Sequence, residues 1–226
     1  MIRHFCSFAP GPAFFAVAML AMSIGSTEAT AECPGMGGSN SDVPCGITLV
    51  GTALGVADAR GAFTIVLRDL ANNPAANCEV MIDFGACEPD IRISMNQPHP
   101  GVRAECDASG ARILATTDAN GTVDIRIVGA ASARPGGPPA SGFKCAQVYA
   151  GGTFLGTINV AATDLDGGGG ANPADISLFL PDLFDADFEG RSDFNCSNTI
   201  SPTDLSLLLQ LTLGGGSLQS GGSYCN

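Results

Sequence analysis

The chain of 226 residues has no tryptophan, two tyrosines and two histidines, and its ten basic residues face 22 acidic ones. It also contains no G-x-S-x-G motif and no C-x-x-C pair. Few aromatic rings are therefore present to stack on sugars, and the usual sequence signs of a serine hydrolase or a structural zinc site are missing. The acidic excess repels nucleic acid and anionic membranes and attracts cations. We predict a non-catalytic protein that binds no nucleic acid.

Long hydrophobic runs are also missing, apart from a short one near the start. Arg3 precedes the apolar run from Ala13 to Met22, which is too short to span a bilayer, and Ala29-Thr30-Ala31 fits the small-x-small cleavage rule. The sequence thus predicts a signal peptide over residues 1–31 and a secreted mature chain from about Glu32. This chain should be extracellular or attached to the cell surface, with no transmembrane segment.

Cysteine usage agrees with export. Of nine cysteines, Cys6 would leave with the signal, and eight remain. An even number in an exported chain predicts up to four disulfides, and we favour these over zinc because C-x-x-C is absent. Connectivity does not follow from sequence. Pairing mostly near neighbours gives Cys33–Cys45, Cys87–Cys106, Cys196–Cys225 and Cys78–Cys145 as our expectation.

Charge is distributed unevenly along the mature chain. Residues 32–160 carry twelve acids against eight bases, whereas residues 161–226 carry nine acids against Arg191 alone. Such a change in composition near residue 162 predicts a boundary between two domains.

Apolar and polar residues alternate with a period of two in the first of these regions. Val80, Ile82 and Phe84 alternate with Glu79, Met81 and Asp83, and Ile125 and Ile127 alternate with charged neighbours. One apolar and one wet face are typical of antiparallel sheets packed face to face. About eight short strands separated by turn residues predict a β-sandwich over residues 32–160; the other strands are expected at 47–50, 62–69, 90–94, 111–116, 143–149 and 154–160.

Two hairpin segments carry a family resemblance. VLRDLANNPAANCEVMIDF (66–84) and TTDANGTVDIRIVG (116–129) resemble the turns and hairpins of bacterial Ig-like domains of the invasin type. The resemblance implies an Ig-like sandwich that serves as a spacer, adhesive module or docking platform in a bacterial protein.

Two acidic segments repeat one skeleton. DLDGGGGANPAD (164–175) and DFNCSNTISPTD (193–204) both read Asp-x-(Asp/Asn) at the start and Pro-x-Asp at the end. A calcium loop needs oxygen ligands at positions 1, 3, 5, 7, 9 and 12, with a sharp turn near position 6. Gly169 and Asn198 occupy the turn, and Gly168 leaves position 5 of the first loop without a side chain. The predicted Ca²⁺ ligands are Asp164, Asp166, the carbonyl of Gly170, Asn172 and Asp175 in the first loop, and Asp193, Asn195, Ser197, the carbonyl of Thr199, Ser201 and Asp204 in the second.

An apolar helix is expected after each loop. Pro173 and Pro202 suit a first helical turn, so helices are predicted from Ala174 to about Leu180, stopped by Pro181, and from Thr203 to about Leu213. Aspartate at position 12 with a helix directly behind it resembles a type I dockerin module, and the resemblance covers residues 163–215, followed by a tail over 216–226. The alternative is a pair of acidic turns without metal.

The dockerin resemblance implies a cohesin-like or other extracellular protein partner. Dockerins commonly bear a hydroxyl pair at loop positions 10 and 11, and this chain keeps a hydroxyl there only at Thr203. The function we predict is that of a secreted, non-catalytic protein whose calcium-binding module mediates extracellular assembly or attachment. Two alternatives stay open: a polysaccharide-active or polysaccharide-binding component tethered through its dockerin, and a structural surface protein stapled by calcium.

Overall fold

The alternating sequence around Ile82 forms a central strand of the main sheet. A computed structural model describes residues 33, 35–132, 142–184 and 189–225, so the predicted signal peptide lies outside the described residues. Val80, Ile82 and Phe84 are fully buried while Glu79 is exposed, as the alternation predicts. The strands are β1 (Gly46–Leu49), β2 (Thr52–Ala53), β3 (Val56–Ala57), β4 (Phe63–Val66), β5 (Glu79–Asp83), β6 (Ile91–Ile93), β7 (Arg103–Asp107), β8 (Gly110–Thr116), β9 (Thr122–Ile125), β10 (Gly129–Ala131), β11 (Ala146–Ala150) and β12 (Thr153–Ala162).

Six strands form the largest sheet, in the order β1-β12-β11-β5-β8-β7, and three further pairs are β10-β6, β2-β3 and β4-β9. Every pair is antiparallel except β1 with β12, which is parallel. The expectation of purely antiparallel pairing was therefore wrong at this edge. Most of the described chain lies between β1 and β12, so no hairpin constrains their direction. The described residues are mostly β, with two α-helices.

Strand β12 departs from the predicted alternation. Phe154, expected to face inward, is half exposed, whereas every residue from Ile158 to Ala162 is buried. The last four residues of this strand pair with β1, whereas β11 pairs with the part up to Ile158, and the strand also contacts a 3-10 helix at Gly190–Ser192. A strand that is buried on both faces has a continuous apolar sequence and not an alternating one. The first predicted calcium loop begins directly after this run.

Both predicted helices are present, with one boundary corrected. α1 spans Pro173–Phe184 and α2 spans Pro202–Leu213. Pro181 was expected to stop the first helix but lies inside it. Proline lacks the amide that would bond the preceding turn, and the last turn is held instead by the side chain of Asp182, which Arg191 and Ser192 contact.

Two disulfides of the described residues join parts of the chain that are far apart in sequence. Cys87 bonds Cys145 with Sγ atoms 2.08 Å apart, and Cys106 bonds Cys225. The expected pairs Cys87–Cys106, Cys196–Cys225 and Cys78–Cys145 were therefore wrong. Near neighbours along the chain do not meet because β11 lies beside β5, which brings the residue before β11 to the residues after β5.

The C-terminal segment, predicted as a tail over 216–226, pairs with strands. Thr52 and Gln219 exchange backbone hydrogen bonds of 2.9 and 3.0 Å, and Cys225 donates to the carbonyl of Ile93 at 2.9 Å. The described residues all fall in one compact unit. The division into domains over 32–160 and 163–215 stays a prediction. Within the described residues, neither helix has the length or the apolar character needed to cross a membrane.

Candidate metal centre

The first loop begins at the end of β12, where the sheet fixes its backbone. The amide of Thr163 donates to the carbonyl of Leu49 at 3.0 Å, and the amide of Ala131 donates to the carbonyl of Asp164 at 2.7 Å. Leu165 is fully buried in the core. The loop thus starts from a rigid edge, and the side chain of Asp164 is held in a fixed place.

Three predicted ligands of this loop meet. One carboxylate oxygen each from Asp164, Asp166 and Asp175 lies within 4.8 Å of the other two. Asp164 and Asp175 are fully buried, and Asp166 is half-buried. Within the part of the chain that the structure describes, this is the one group of three or more acidic, histidine or cysteine side chains close enough to share a metal ion. Carboxylate oxygens are the ligands that calcium prefers.

Burial dominates the electrostatics of these carboxyls. It raises the pKa of Asp175 to about 6, and the negative charges of Asp164 and Asp166 add to the rise, against the hydrogen bonds from nearby amides. Burial likewise raises the pKa of Asp164, with a further contribution from Asp166. Bringing like charges together out of water disfavours their ionised forms. A divalent cation between them would remove that penalty.

The remaining predicted ligands of the first loop are engaged with each other. The side-chain amide of Asn172 donates to the carbonyl of Gly170 at 2.8 Å. Its oxygen accepts from the amide of Ala174 at 2.8 Å, which caps the first turn of α1. The structure therefore brings the three carboxylates together, while Asn172 acts as a helix cap.

The second loop holds its first aspartate in the same way as the first loop. Gly168, at position 5, donates its amide to Asp164 at 3.2 Å, and Ser197, at the same position, donates to Asp193 at 3.0 Å. The oxygen at position 3 accepts from the same amide in both loops, at 2.7 Å for Asp166 and 2.9 Å for Asn195. The two loops thus share these hydrogen bonds, although the second oxygen of the first aspartate accepts from the amide of Gly170 (position 7) in the first loop and of Asn198 (position 6) in the second.

The aspartate at position 12 repeats as well. One oxygen of Asp175 accepts from the amide at position 3 (3.3 Å) and the other from the amide at position 9 (2.7 Å). Asp204 makes the same two bonds, at 3.2 and 3.0 Å, through the corresponding oxygens. Asp193 and Asp204 are buried like their counterparts. The repeat seen in the sequence is therefore a repeat of the three-dimensional hydrogen-bond pattern.

The loops differ in their remaining oxygens. In the second loop, Ser197 Oγ donates to the carbonyl of Thr199 at 2.9 Å. Ser201 Oγ accepts from the amide of Thr203 and donates to Asp204, forming a capping box at the start of α2. This loop has two carboxylates against three, but it has side-chain oxygens at positions 3, 5 and 9.

Left-handed backbone conformations mark the turns of both loops. Asn198, at position 6 of the second loop, has φ 59°, as the sequence predicts for an asparagine in place of glycine. Position 4 is also left-handed in both loops, with φ 66° at Gly167 and 58° at Cys196. Cysteine gives no sequence signal for this conformation, and its backbone role in the loop was not predicted.

Two polar anchors beside the loops were also missed from sequence. Arg191 contacts both carboxylate oxygens of Asp182, at 3.1 and 3.0 Å, and joins the end of α1 to the residues before the second loop. Ser217 Oγ donates to the buried Asp58 at 2.9 Å and joins the segment after α2 to the residue after β3. The single base in an acidic segment was the available signal for the first anchor.

Comparison with protein-family models, with curated proteins and with solved structures finds no match to this chain.

Proposed function

We propose that the two repeated loops bind calcium and that, with their helices, they form a dockerin-like module joined to an Ig-like sandwich in a secreted protein. The observation that carries the calcium part is the shared hydrogen-bond pattern around buried aspartates at positions 1 and 12. The loops share few other residues, so the common geometry follows from the side chains that a metal would use.

Burial argues against two metal-free acidic turns. Asp118 supplies the comparison within this protein, since it accepts from the amides of Asn120 (2.8 Å) and Thr122 (2.9 Å) and is exposed. Hydrogen bonds from those amides outweigh burial and lower the pKa of Asp118. In Asp175 burial prevails and raises the pKa. Taking a carboxylate out of water costs several kcal/mol unless an opposite charge meets it.

The ligand chemistry favours calcium over transition metals. The candidate atoms are carboxylate, amide, hydroxyl and carbonyl oxygens, and neither loop contains histidine. Hard oxygen ligands suit calcium, whereas sulfur and imidazole suit zinc and copper. Cys196, the one sulfur in the loops, lies beside Asn159 of β12, whose side-chain amide donates to its Sγ at 3.7 Å. The Sγ atom of Cys196 thus contacts a residue of the sheet.

Two further features support attachment to an extracellular partner. The starts of both helices are exposed at Pro173, Ala174, Pro202 and Thr203, which is where the resemblance locates partner binding. Phe184 and Leu213 are exposed at the ends of the same helices. Such side chains offer apolar surface that a partner could cover. The paired strands β4-β9 and β10-β6, which share a core with the six-stranded sheet, support the sandwich.

Calorimetric titration of the full chain with calcium tests the proposal. We expect dissociation constants of about 10⁻⁷ to 10⁻⁴ M, with the second loop tighter because three consecutive glycines after Gly167 raise the ordering cost of the first. Asp193→Asn should remove the tighter site, and Asp164→Asn the weaker one. Asp118→Asn, the matched control, should leave both sites intact.

Two results would contradict parts of this reading. If the wild type showed neither heat on titration with calcium nor calcium-dependent thermal stabilisation, both loops would be acidic turns without metal. A larger loss from Asp164→Asn than from Asp193→Asn would reverse the ranking. Attachment is tested separately, by capture of partners from the producer's secreted proteins with calcium and with a chelator. Capture that is equal in both would remove the role of calcium in docking.

A further inference from the structure

Four cysteines of the described chain carry no disulfide: Cys33, Cys45, Cys78 and Cys196. We propose that they form two further disulfides, Cys45–Cys196 and Cys33–Cys78, so that all eight cysteines outside the predicted signal peptide are paired. Cys33–Cys45, which the sequence led us to expect, would then be replaced by two long-range bonds. This proposal is independent of whether the loops bind calcium.

The geometry around Asn159 brings Cys45 and Cys196 together. Its backbone amide donates to the carbonyl of Cys45 at 3.0 Å, and its side-chain amide donates to Cys196 Sγ at 3.7 Å. A β-carbon built on Gly46, the next residue after Cys45, would stand 3.3 Å from Cys196 Sγ. One residue of β12 thus contacts both cysteines, the backbone of Cys45 through its amide and the Sγ of Cys196 through its side chain.

The second pair meets at the end of the central strands. Cys78 is fully buried just before β5, whose Val80 pairs with Ala150 of β11. A β-carbon on Gly151, the residue after β11, would stand 2.7 Å from Cys33 Cβ and 3.6 Å from its Sγ. Cys33 also packs against the core cluster that contains Cys78. Both cysteines therefore occupy the same end of the β5-β11 pair.

The environment of these thiols agrees with structural disulfides. Burial, followed by hydrogen bonding to Cys33, raises the pKa of Cys78 to about 12. A thiol with so high a pKa has almost no thiolate at neutral pH, and thiolate is the attacking species in disulfide exchange. The Cys33–Cys78 bond should therefore form while the chain is folding, before Cys78 is buried.

The oxidation requires a partner with an exchangeable disulfide, such as a thiol oxidase of an exporting compartment. One thiolate of each pair attacks that disulfide and forms a mixed disulfide, and the second thiol of the pair then displaces the oxidant. Each pair loses two protons and two electrons, and the disulfide of the oxidant is reduced to a dithiol.

The Cys45–Cys196 bond would constrain the second loop but not the first. Cys196 occupies position 4 of the second loop with φ 58°, and its bond to Cys45 would fasten the loop to β1 with or without a metal ion. The first loop has Gly167 at the same position and no comparable tether. The second loop would thus be ordered in advance.

Peptide mapping of the full chain, exported through an oxidising compartment, tests both bonds. Free thiols are blocked with an alkylating reagent in denaturant, and the protein is digested with trypsin and with a protease that cuts before aspartate. Cuts at Asp42, Asp83 and Asp204 separate cysteines that trypsin leaves on one peptide. We expect the pairs 33–78, 45–196, 87–145 and 106–225 and no alkylated cysteine. Alkylation at two or more of the four positions, or a 33–45 peptide, would overturn the proposal.

Variants give a second readout. Cys45→Ser should expose one thiol at Cys196, and adding Cys196→Ser should abolish it. Without reductant, both variants should melt about 5–10 °C lower, because a tether that restricts the unfolded chain is lost. No free thiol in Cys45→Ser, with an unchanged midpoint, would refute the bond. Should either variant fail to fold, the wild-type peptide map still decides. Calcium heat measured on the same wild-type sample bears on the calcium proposal alone.

Discussion

Breaking the buried ion pair between Asp182 and Arg191 should cost far more stability than breaking any exposed ion pair of the described residues. Their side chains are 6% and 4% exposed, and Arg191 makes two contacts with the carboxylate. Ser192 Oγ also donates to Asp182, and Arg191 Nη1 donates to the carbonyl of Ser132 at 2.7 Å. The pair joins the last turn of α1, beyond Pro181, to the residues that lead into the second loop.

Asp182→Asn keeps the size of the side chain but removes its charge, and it leaves the guanidinium of Arg191 buried without a counter-ion. Breaking a buried pair by removing one partner costs about 3–5 kcal/mol. The amide oxygen of asparagine still accepts one hydrogen bond, so we expect about 2–4 kcal/mol here. For a chain of this size that lowers the thermal midpoint by about 5–12 °C. Thermal and urea unfolding with the disulfides intact measure the loss.

Glu79→Gln supplies the matched control. Arg103 and Glu79 lie 2.6 Å apart, closer than the buried pair, but their side chains are 58% and 50% exposed. An exposed pair contributes at most about 1 kcal/mol. If the two variants lost equal stability, burial would not be the cause and the reasoning would fail. The double variant Asp182→Asn, Arg191→Met should recover part of the loss, because it removes the uncompensated charge.

Two further predictions concern the loops. The folded-state pKa of Asp175, about 6, exceeds its ordinary value of 3.8, so its contribution to stability is present at low pH and is lost as the pH rises through about 6. Between about pH 4 and 7, the calcium-free wild type should therefore lose stability relative to Asp175→Asn. Saturating calcium should make the wild type the more stable of the two proteins. A parallel pH dependence of the two thermal midpoints would contradict this prediction. Asn198→Ala should lower the free energy of unfolding by about 1 kcal/mol, since alanine tolerates a left-handed φ poorly. Asn198→Gly should leave that free energy nearly unchanged. Equal unfolding midpoints of the two variants in urea would show that the turn is not strained.

Local patterns determined much of the fold. Alternation gave the strands around Ile82 and Ile125, and proline at position 10 of each loop gave the helix starts, because both signals depend on neighbours a few residues apart. The two-residue strands β2 and β3 were missed, and so were β7 and β10. β7 is exposed along most of its length and β10 is the short buried run Gly129–Ala131, so neither alternates.

Local sequence patterns could not predict which strands and which cysteines pair across long stretches of the chain. The parallel contact of β1 with β12 and the Cys87–Cys145 and Cys106–Cys225 bonds depend on the order of strands in the sheet. Sequence spacing carries no information on that order. Pro181 was misjudged for a related reason: the bonds of Asp182 to Arg191 and Ser192 overrode a local signal to stop the helix.

The candidate site shows the same division between local and long-range information. The spacing of Asp164, Asp166 and Asp175 predicted that they belong together, because a loop of twelve residues can close on itself without help from the rest of the chain. What buries them is not local: β10 bonds the backbone of Asp164, and Ala171 donates to the carbonyl of Ser217 at 2.8 Å.

This attachment would couple calcium binding in the first loop to the stability of the whole unit. A ligand that binds only the folded state stabilises it by about 2.7 kcal/mol at one hundred times its dissociation constant. Since the first loop shares backbone hydrogen bonds with β10 and with the segment after α2, it cannot lose its structure without breaking contacts of the sheet. A calcium ion in this loop would therefore stabilise the strands together with the helices, and residues 163–215 alone would lack part of what holds the loop closed.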